Sequence, residues 1–286
     1  MYKYIVLYNP LSCRGKGLED AKQLETILKN AEIEYVDATG VGDPVQYALE
    51  LPKETRVIFT GGDGTLNHII NLVDIDTLDR ELYYYPGGTG NDFLNDLGKS
   101  KSCDPFPINE YCKGLPTVTV NGITRKFING IGCGLDGFCC EENDRLKELG
   151  KKKSYVLIAA EGVAGKYSPC NAKVTVDGVT REYKNVWMAP TMIGRYYGGG
   201  VNICPNQDRK NPEHTVTNAM FYGIGRLKGA RMFLAVSKGH GPDYPDVIDY
   251  RVGKHVIVEL DRPVPLQIDG ETVRNVTRYE VFSAED

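Results

Sequence analysis

The chain has 286 residues, 41% of them hydrophobic, enough for one large domain or two ordinary ones with real cores. Its formal net charge is −4 and unevenly spread: residues 1–100 hold nine Lys and Arg against sixteen Asp and Glu. An acidic chain with few basic clusters argues against nucleic acid as the main partner, and apolar runs no longer than Tyr155–Ala160 leave nothing to span a bilayer. Any membrane contact must then be peripheral.

Met1-Tyr2-Lys3-Tyr4-Ile5 runs straight into a strand with no signal-peptide pattern, so the expected location is the cytoplasm. The eight cysteines form no C-x-x-C pair and no Cys/His metal spacing, and read as reduced, mostly buried thiols. The four histidines are scattered, and His68 reads as a surface or packing residue.

Along the first third, strand and helix signals alternate. Tyr4–Tyr8 reads as a strand, followed by the turn Asn9-Pro10-Leu11-Ser12 and a helix with Ala21, Leu24, Leu28 and Ala31 on one face. Ile33–Val36 is a second strand, and Pro44–Leu51 a short helix opened by proline. Strand Val57–Phe59, a helix from Leu66 with Ile69, Ile70 and Val73 on its apolar face, and strand Leu82–Tyr85 follow. Such alternation predicts a three-layer α/β domain on a parallel sheet, over residues 1–115.

The remainder reads differently. Thr117–Phe127 is a hairpin around Asn121-Gly122, and Lys173–Tyr183 repeats the device with Asp177-Gly178. Strands are expected at Val186–Ala189, Val216–Tyr222, Val256–Leu260, Pro265–Ile268 and Tyr279–Phe282, with helical patterns near Ser154–Val163 and Leu227–Ser237. This predicts a mostly antiparallel β-sandwich over residues 116–275, a cleft between the two domains, and a tail of about 276–286 packing back on the first. The basic run Arg145–Lys153 reads as a solvated helix end or as a contact with an anionic membrane surface.

Gly61-Gly62-Asp63-Gly64-Thr65 joins a strand to a helix N-terminus. Glycines let backbone amides approach a ligand, and a helix N-terminus offers unpaired N–H groups to an anion. An aspartate would repel that anion unless a cation bridges the two, as Mg²⁺ does with nucleotides. A tight turn with a capping Asp or Thr accounts for the same five residues. Two further turns lie at the same carboxyl edge of the sheet: Asn9–Gly17 after the first strand and Pro86–Phe93 after the fourth. Asp269-Gly270-Glu271 follows a late strand. Three glycine turns with two aspartates on one edge point to a polyphosphate site.

These residues, in this order, resemble the diacylglycerol kinase catalytic-domain family, especially the soluble bacterial lipid kinases, and are similar to sphingosine and ceramide kinases. The resemblance runs from Asn9-Pro-x-Ser12 through Gly61–Asn67, Gly88–Phe93 and Phe127–Asp136 to Asp269-Gly-Glu271. It implies ATP- and Mg²⁺-dependent phosphorylation of a lipid hydroxyl. Asn9, Ser12, Arg14, Thr39, Gly61, Gly62, Gly64, Thr65, Asn67, Gly88 and Thr89 match positions around the nucleotide. Asp63 matches the carboxylate that supports catalytic Mg²⁺, Asp92 one acting near that metal through water, and Glu271 the general base. A peripheral lipid-surface contact and a homodimer are also implied by the resemblance alone.

The chain departs from the family's pattern in places. Cys13 and Arg14 replace the usual Gly-Lys, and arginine keeps the charge with a different geometry. A lysine placed near the metal network in some bacterial members aligns with Ala159 or Ala160 here. In the loop that holds a structural Mg²⁺ elsewhere, only Asp208 and Glu213 could serve. Two other readings stay open: an NAD kinase-like enzyme with a soluble substrate, and a nucleotide-binding regulatory protein with impaired catalysis.

Overall fold

A computed structural model describes residues 3–88 and 90–284. The chain divides into two compact units, Met1–Lys113 and Gly114–Asp286.

The first unit is built on a five-stranded sheet. Its strands are β1 (Lys3–Tyr8), β2 (Glu32–Asp37), β3 (Arg56–Gly61), β4 (Leu82–Pro86) and β5 (Phe106–Pro107), in the order β2-β1-β3-β4-β5. The first four are parallel, and β5 adds an antiparallel edge that the sequence reading missed, pairing Tyr84 with Phe106. Two residues are too few for a periodic signal.

Alternation along the strands sends Tyr4, Val6, Ile58 and Tyr85 to one face, where they pack with Ala21 and Leu24. Ile5, Leu7, Val57, Phe59 and Tyr84 then point to the opposite face, and all five are buried. The Phe93 ring meets the Tyr84 ring edge-on at 6.4 Å on that side. Covered on both faces, the sheet is the middle of three layers.

The predicted single helix through Ala21–Ala31 is broken between α2 (Gly17–Ala21) and α3 (Leu24–Ile27), and the turn before it holds a further short helix, α1 (Ser12–Gly15). At Gly17, the first residue of α2, a Cβ would come within 2.0 Å of the Asn9 carbonyl oxygen. The chain therefore presses against its own preceding turn before the next helical segment begins. Helices α4 (Pro44–Glu50), α5 (Asp63–Leu72), α6 (Asp92–Asp96) and α7 (Asn109–Cys112) complete the unit. Asp43 caps α4, its Oδ1 accepting from the Val45 and Gln46 amides, and proline follows at the first helical position.

The second unit is an antiparallel network of ten strands. These are β6 (Thr117–Val120), β7 (Ile123–Lys126), β8 (Gly130–Gly134), β9 (Cys170–Val176), β10 (Val179–Val186), β11 (Met188–Met192), β14 (Val216–Phe221), β15 (Ile248–Gly253), β16 (His255–Ile268) and β17 (Glu271–Phe282). A separate two-stranded ribbon pairs β12 (Tyr196–Tyr197) with β13 (Val201–Asn202). The two predicted strands 256–260 and 265–268 are one long strand, β16, bent where its register with β17 shifts between Glu259 and Leu266. Its first half pairs with β9 and its second half with β8, so one strand serves two parts of the β unit. Residues 276–282 end β17, which pairs with β16 and β6 inside this unit.

Three helices pack on this network: α8 (Leu135–Glu148), α9 (Tyr155–Glu161) and α10 (Arg226–Val236). The longest of them, α8, has no counterpart among the expected helical patterns. Its apolar stripe is interrupted by Gly137, where a Cβ would lie 2.1 Å from the Pro265 carbonyl oxygen, so the helix backbone rests directly on β16. No helix among the described residues is long and apolar enough to cross a membrane.

Candidate active site

The register of the parallel strands fixes where their loops emerge. Tyr8 lies beside both Asp37 and Thr60, Thr60 beside Tyr85, and Gly61 beside Pro86. Each turn carrying a predicted nucleotide residue of the first unit therefore leaves the same edge: Asn9–Ser12 after β1, Thr39 after β2, Gly61–Thr65 after β3 and Gly87–Asp92 after β4. Parallel strands share one direction, so their carboxyl ends must meet there.

The Gly-Gly-Asp-Gly-Thr stretch is less of a turn than its composition suggests. Gly61 ends β3, Gly62 is the N-cap, and Asp63-Gly64-Thr65 already forms the first turn of α5. The Asp63 carboxylate thus sits at a helix N-terminus, where the macrodipole favours its negative charge. It also reaches across to the next loop. Oδ2 accepts from the Asp92 amide at 2.8 Å and Oδ1 from the Phe93 amide at 3.1 Å, so Asp63 caps α6 from outside. Asp92 is thus held next to Asp63 through its backbone amide, with its side chain buried.

The glycines have separate reasons. A Cβ on Gly61 would stand 2.0 Å from Thr65 Oγ1, one on Gly62 2.6 Å from the Gly90 carbonyl, and one on Gly87 2.5 Å from Asp20 Oδ2. Gly88 adopts φ +82°, which L side chains avoid, whereas Gly64 faces open space. The Gly87 amide donates to Gly61 O at 2.7 Å, and the buried Tyr84 hydroxyl donates to the same oxygen at 2.7 Å. That hydroxyl also lies 3.2 Å from the Asn91 side-chain amide, and burial holds it well above the usual phenol range. Sequence reasoning did not single out Tyr84, nor Lys101, whose Nζ donates to the Gly88 carbonyl. Neither belongs to a motif, and only the fold brings them to the loop.

The remaining predicted residues are placed as follows. Asn9 Oδ1 accepts from the Leu11 amide at 2.8 Å, while Ser12 Oγ donates to Asn9 O at 2.7 Å, making a self-braced turn. Thr39 donates from both its amide and its hydroxyl to Asp37 Oδ1. Asn67 is buried one turn into α5, and its carbonyl accepts from the Asn71 side chain. Thr89 lies outside the described residues, as do the side chains of Cys13 and Arg14.

Glu271 belongs to the second unit. It opens β17 after the turn at Asp269 and Gly270, both with positive φ. Its Oε2 pairs with Arg125 Nη1 at 2.7 Å, and Oε1 has no partner among the described residues. Its neighbour Asp269 carries the heavier structural load. The Asp269 carboxylate accepts the amides of Ile128, Asn129 and Gly130 at 2.7, 2.9 and 3.0 Å, clamping the loop that enters β8. Arg209 donates to the Ile128 carbonyl and, at 3.0 Å, to Asn129 Oδ1. In the Asp208–Glu213 loop, Asp208 Oδ1 accepts from the Lys210 amide and Asn211 Oδ1 from the Glu213 amide, so local Asx turns hold it.

Among the described residues no group of three or more His, Cys, Asp and Glu could hold a metal ion alone. Each Asp63 oxygen accepts one N–H and keeps a second lone pair. That donor set suits Mg²⁺ where phosphates and water complete the shell, the manner in which Mg²⁺ accompanies nucleotides.

A solved structure of a diacylglycerol kinase from Bacillus anthracis superposes with TM-score 0.61, covering 99% of this chain and 94% of that one at 18% identity. A second Bacillus anthracis chain gives TM-score 0.65 at 20% identity, over 98% and 94%. The fold class is therefore that of these two-domain enzymes: a parallel α/β unit followed by an antiparallel β unit. Residues 3–118 match the diacylglycerol kinase catalytic domain, and residues 129–281 the YegS C-terminal NAD kinase beta sandwich-like domain. The chain belongs to the diacylglycerol kinase catalytic-domain family. It is similar to the diacylglycerol kinase of Mycobacterium tuberculosis, with 27% identity over 270 residues, 90% of this chain and 85% of that protein.

Proposed function

We propose that this protein transfers the γ-phosphoryl group of ATP, bound with Mg²⁺, to the hydroxyl of diacylglycerol or a related membrane lipid alcohol. The observation that carries the reading is the Asp63 carboxylate at the N-terminus of α5, bonded to the Asp92 and Phe93 amides among glycine loops of one sheet edge. Family membership supports the kinase class, and the chemistry of the edge supports the donor.

Phosphoryl transfer needs positioning and charge neutralisation more than covalent chemistry. In this reading the amides around Gly61, Gly62 and Gly88 cradle phosphate oxygens, with Thr65, Asn9, Ser12, Thr39, Asn67, Thr89 and Arg14 around the nucleotide. The Gly64 position leaves room for close approach. Asp63 and Asp92 hold the metal, which when bound neutralises charge on the transferring phosphoryl group. Glu271, oriented by Arg125 through Oε2, takes the alcohol proton on Oε1. Peripheral contact with a membrane from the cytoplasm follows from a lipid acceptor.

Mixed micelles carrying a panel of lipid alcohols, labelled ATP and Mg²⁺ test the reading directly. Labelled lipid phosphate is expected from at least one alcohol, and none from any of them despite bound ATP would overturn it. Formation of NADP from NAD would instead favour the soluble-substrate relatives. Asp63→Asn should lower kcat by about 100-fold or more with little change in KM for the lipid. Unchanged turnover in that variant would remove the metal role.

A further inference from the structure

Residues 128–130, which lead into β8, are buried, so each of their backbone polar groups needs a partner. Asp269 takes the three N–H groups, and its own amide donates to the Gly130 carbonyl at 3.0 Å. The Ile193 and Gly194 amides donate to the Asn129 carbonyl at 3.1 Å. That leaves the Ile128 carbonyl and Asn129 Oδ1, and one group, the Arg209 guanidinium, donates to both. A carboxylate thus serves the donors of this stretch and a cation its acceptors.

Arg209 lies in the loop of residues 205–213, where the family resemblance would seat a structural Mg²⁺. The donors of this loop do not fit one. Asp208 and Glu213 are its only carboxylates, and Asp208 Oδ1 already accepts from the Lys210 amide. Gln207 and Asn211 turn toward the start of β14 instead. Gln207 Nε2 donates to Thr215 O at 2.9 Å, its Oε1 accepts from the Thr217 hydroxyl, and Asn211 Nδ2 donates to Thr215 Oγ1 at 2.6 Å. Arg209 and Lys210 add two positive charges, whereas Mg²⁺ demands a near-octahedral shell of oxygens. A guanidinium needs less: planar and always protonated, it holds two oxygens on one fork. The two it holds, a backbone carbonyl and an amide oxygen, are of the kind a hard cation would gather.

We infer that Arg209 stands in for a structural metal in the second unit, fixing residues 128–130 and thereby the turn that presents Glu271. Asp269 ties the same three residues to that turn, and Ile131 of β8 lies beside Ile268, which lies beside Glu271. Arg209 is a positioning residue in this scheme, acting through the loop. The clamp stands on its geometry, and only its consequence for Glu271 rests on the proposed function.

Hydrogen exchange of the full chain, without nucleotide or lipid, tests the clamp. The amides of residues 128–130 should exchange at one rate in EDTA and in excess Mg²⁺. Arg209→Ala should speed them about tenfold or more, because two hydrogen bonds from a charged donor are lost. Arg209→Lys keeps the charge without the fork and should speed them less. Guanidinium ion, far below denaturing concentrations, should slow them again in the alanine variant, whereas Mg²⁺ should not. Lys210→Ala should leave these amides as in wild type. In lipid phosphorylation Arg209→Ala should lower kcat about tenfold or more with KM for ATP unchanged, and guanidinium should recover part of the loss. Slower exchange at residues 128–130 on adding Mg²⁺ to wild type would overturn the replacement of the metal. Wild-type exchange in Arg209→Ala would overturn the clamp, and freed amides with unchanged kcat would remove its link to Glu271. If wild type phosphorylates no lipid, the exchange rates still decide the clamp and the kinase reading alone falls.

Discussion

Gly61 and Gly64 lie three residues apart in one motif, yet their surroundings differ. A methyl at Gly61 would stand 2.0 Å from Thr65 Oγ1 and 2.7 Å from Thr65 Cβ, within the first turn of α5. Gly61→Ala should therefore cost about 1–3 kcal/mol through overpacking. Gly64 meets nothing within 4 Å and is already helical, so Gly64→Ala should leave stability unchanged or raise it by up to about 1 kcal/mol. Urea midpoints decide this, and similar losses in both variants would mean that both glycines serve a shared backbone need. Asp136 offers a second test at the residue scale. Its carboxylate oxygens are buried in the first turn of α8 with no hydrogen-bond partner among the described residues. Burial pushes this carboxyl up to about 6, opposed by the nearby Gly137 and Asp136 amides. A carboxyl whose folded pKa is raised binds more protons in the native state, so its penalty grows as pH rises from about 4 to about 6. Asp136→Asn should thus gain on wild type through that window, by on the order of 2–3 kcal/mol above it. Parallel stability–pH curves for the two proteins would show that the carboxyl titrates normally.

Among the elements, the β16–β17 hairpin shows how a short turn can carry more load than its composition reveals. Asp269 and Gly270 both have positive φ, as do Asn121-Gly122 and Asp177-Gly178, and each pair closes a tight hairpin. Composition reveals the turn because few residues tolerate that backbone. It does not reveal that Asp269 accepts three amides from the loop before β8, more than a hundred residues earlier in the chain. Asp269→Ala should cost about 2–4 kcal/mol, since three buried donors lose a charged acceptor. Asp269→Asn should cost less, because asparagine tolerates the turn and keeps one oxygen. Chemical denaturation of the two variants checks the order, and an alanine as mild as the asparagine would deny the clamp. Helix α8 and the broken α1–α3 segment were illegible for a related reason. By propensity Gly137 and Gly17 would weaken a helix, but each marks a place where backbone rests on backbone, that of β16 at Gly137 and that of the preceding turn at Gly17.

Across the whole molecule, each unit carries its own buried cluster, and the proposed nucleotide edge belongs to the first. Mg²⁺-ATP at about 100 times its Kd should stabilise the native state by about 2.7 kcal/mol against unfolding. Hydrogen exchange should then slow most at residues 61–65 and 87–93. Protection confined to residues beyond 114 would move the nucleotide to the other unit. The sequence alone determined the strand–helix alternation, the hairpin turns and the order of glycine motifs, because periodicity and positive φ are local demands. It also paired Asp63 with Asp92 by motif. Only the tertiary structure decided that Asp63 caps α6, that Tyr84 and Lys101 brace the glycine loops, and that β16 is one bent strand. It alone brings Arg209 to the loop before β8. Those are long-range facts: they depend on which backbone comes within hydrogen-bond or van der Waals reach, and no single stretch of sequence encodes that.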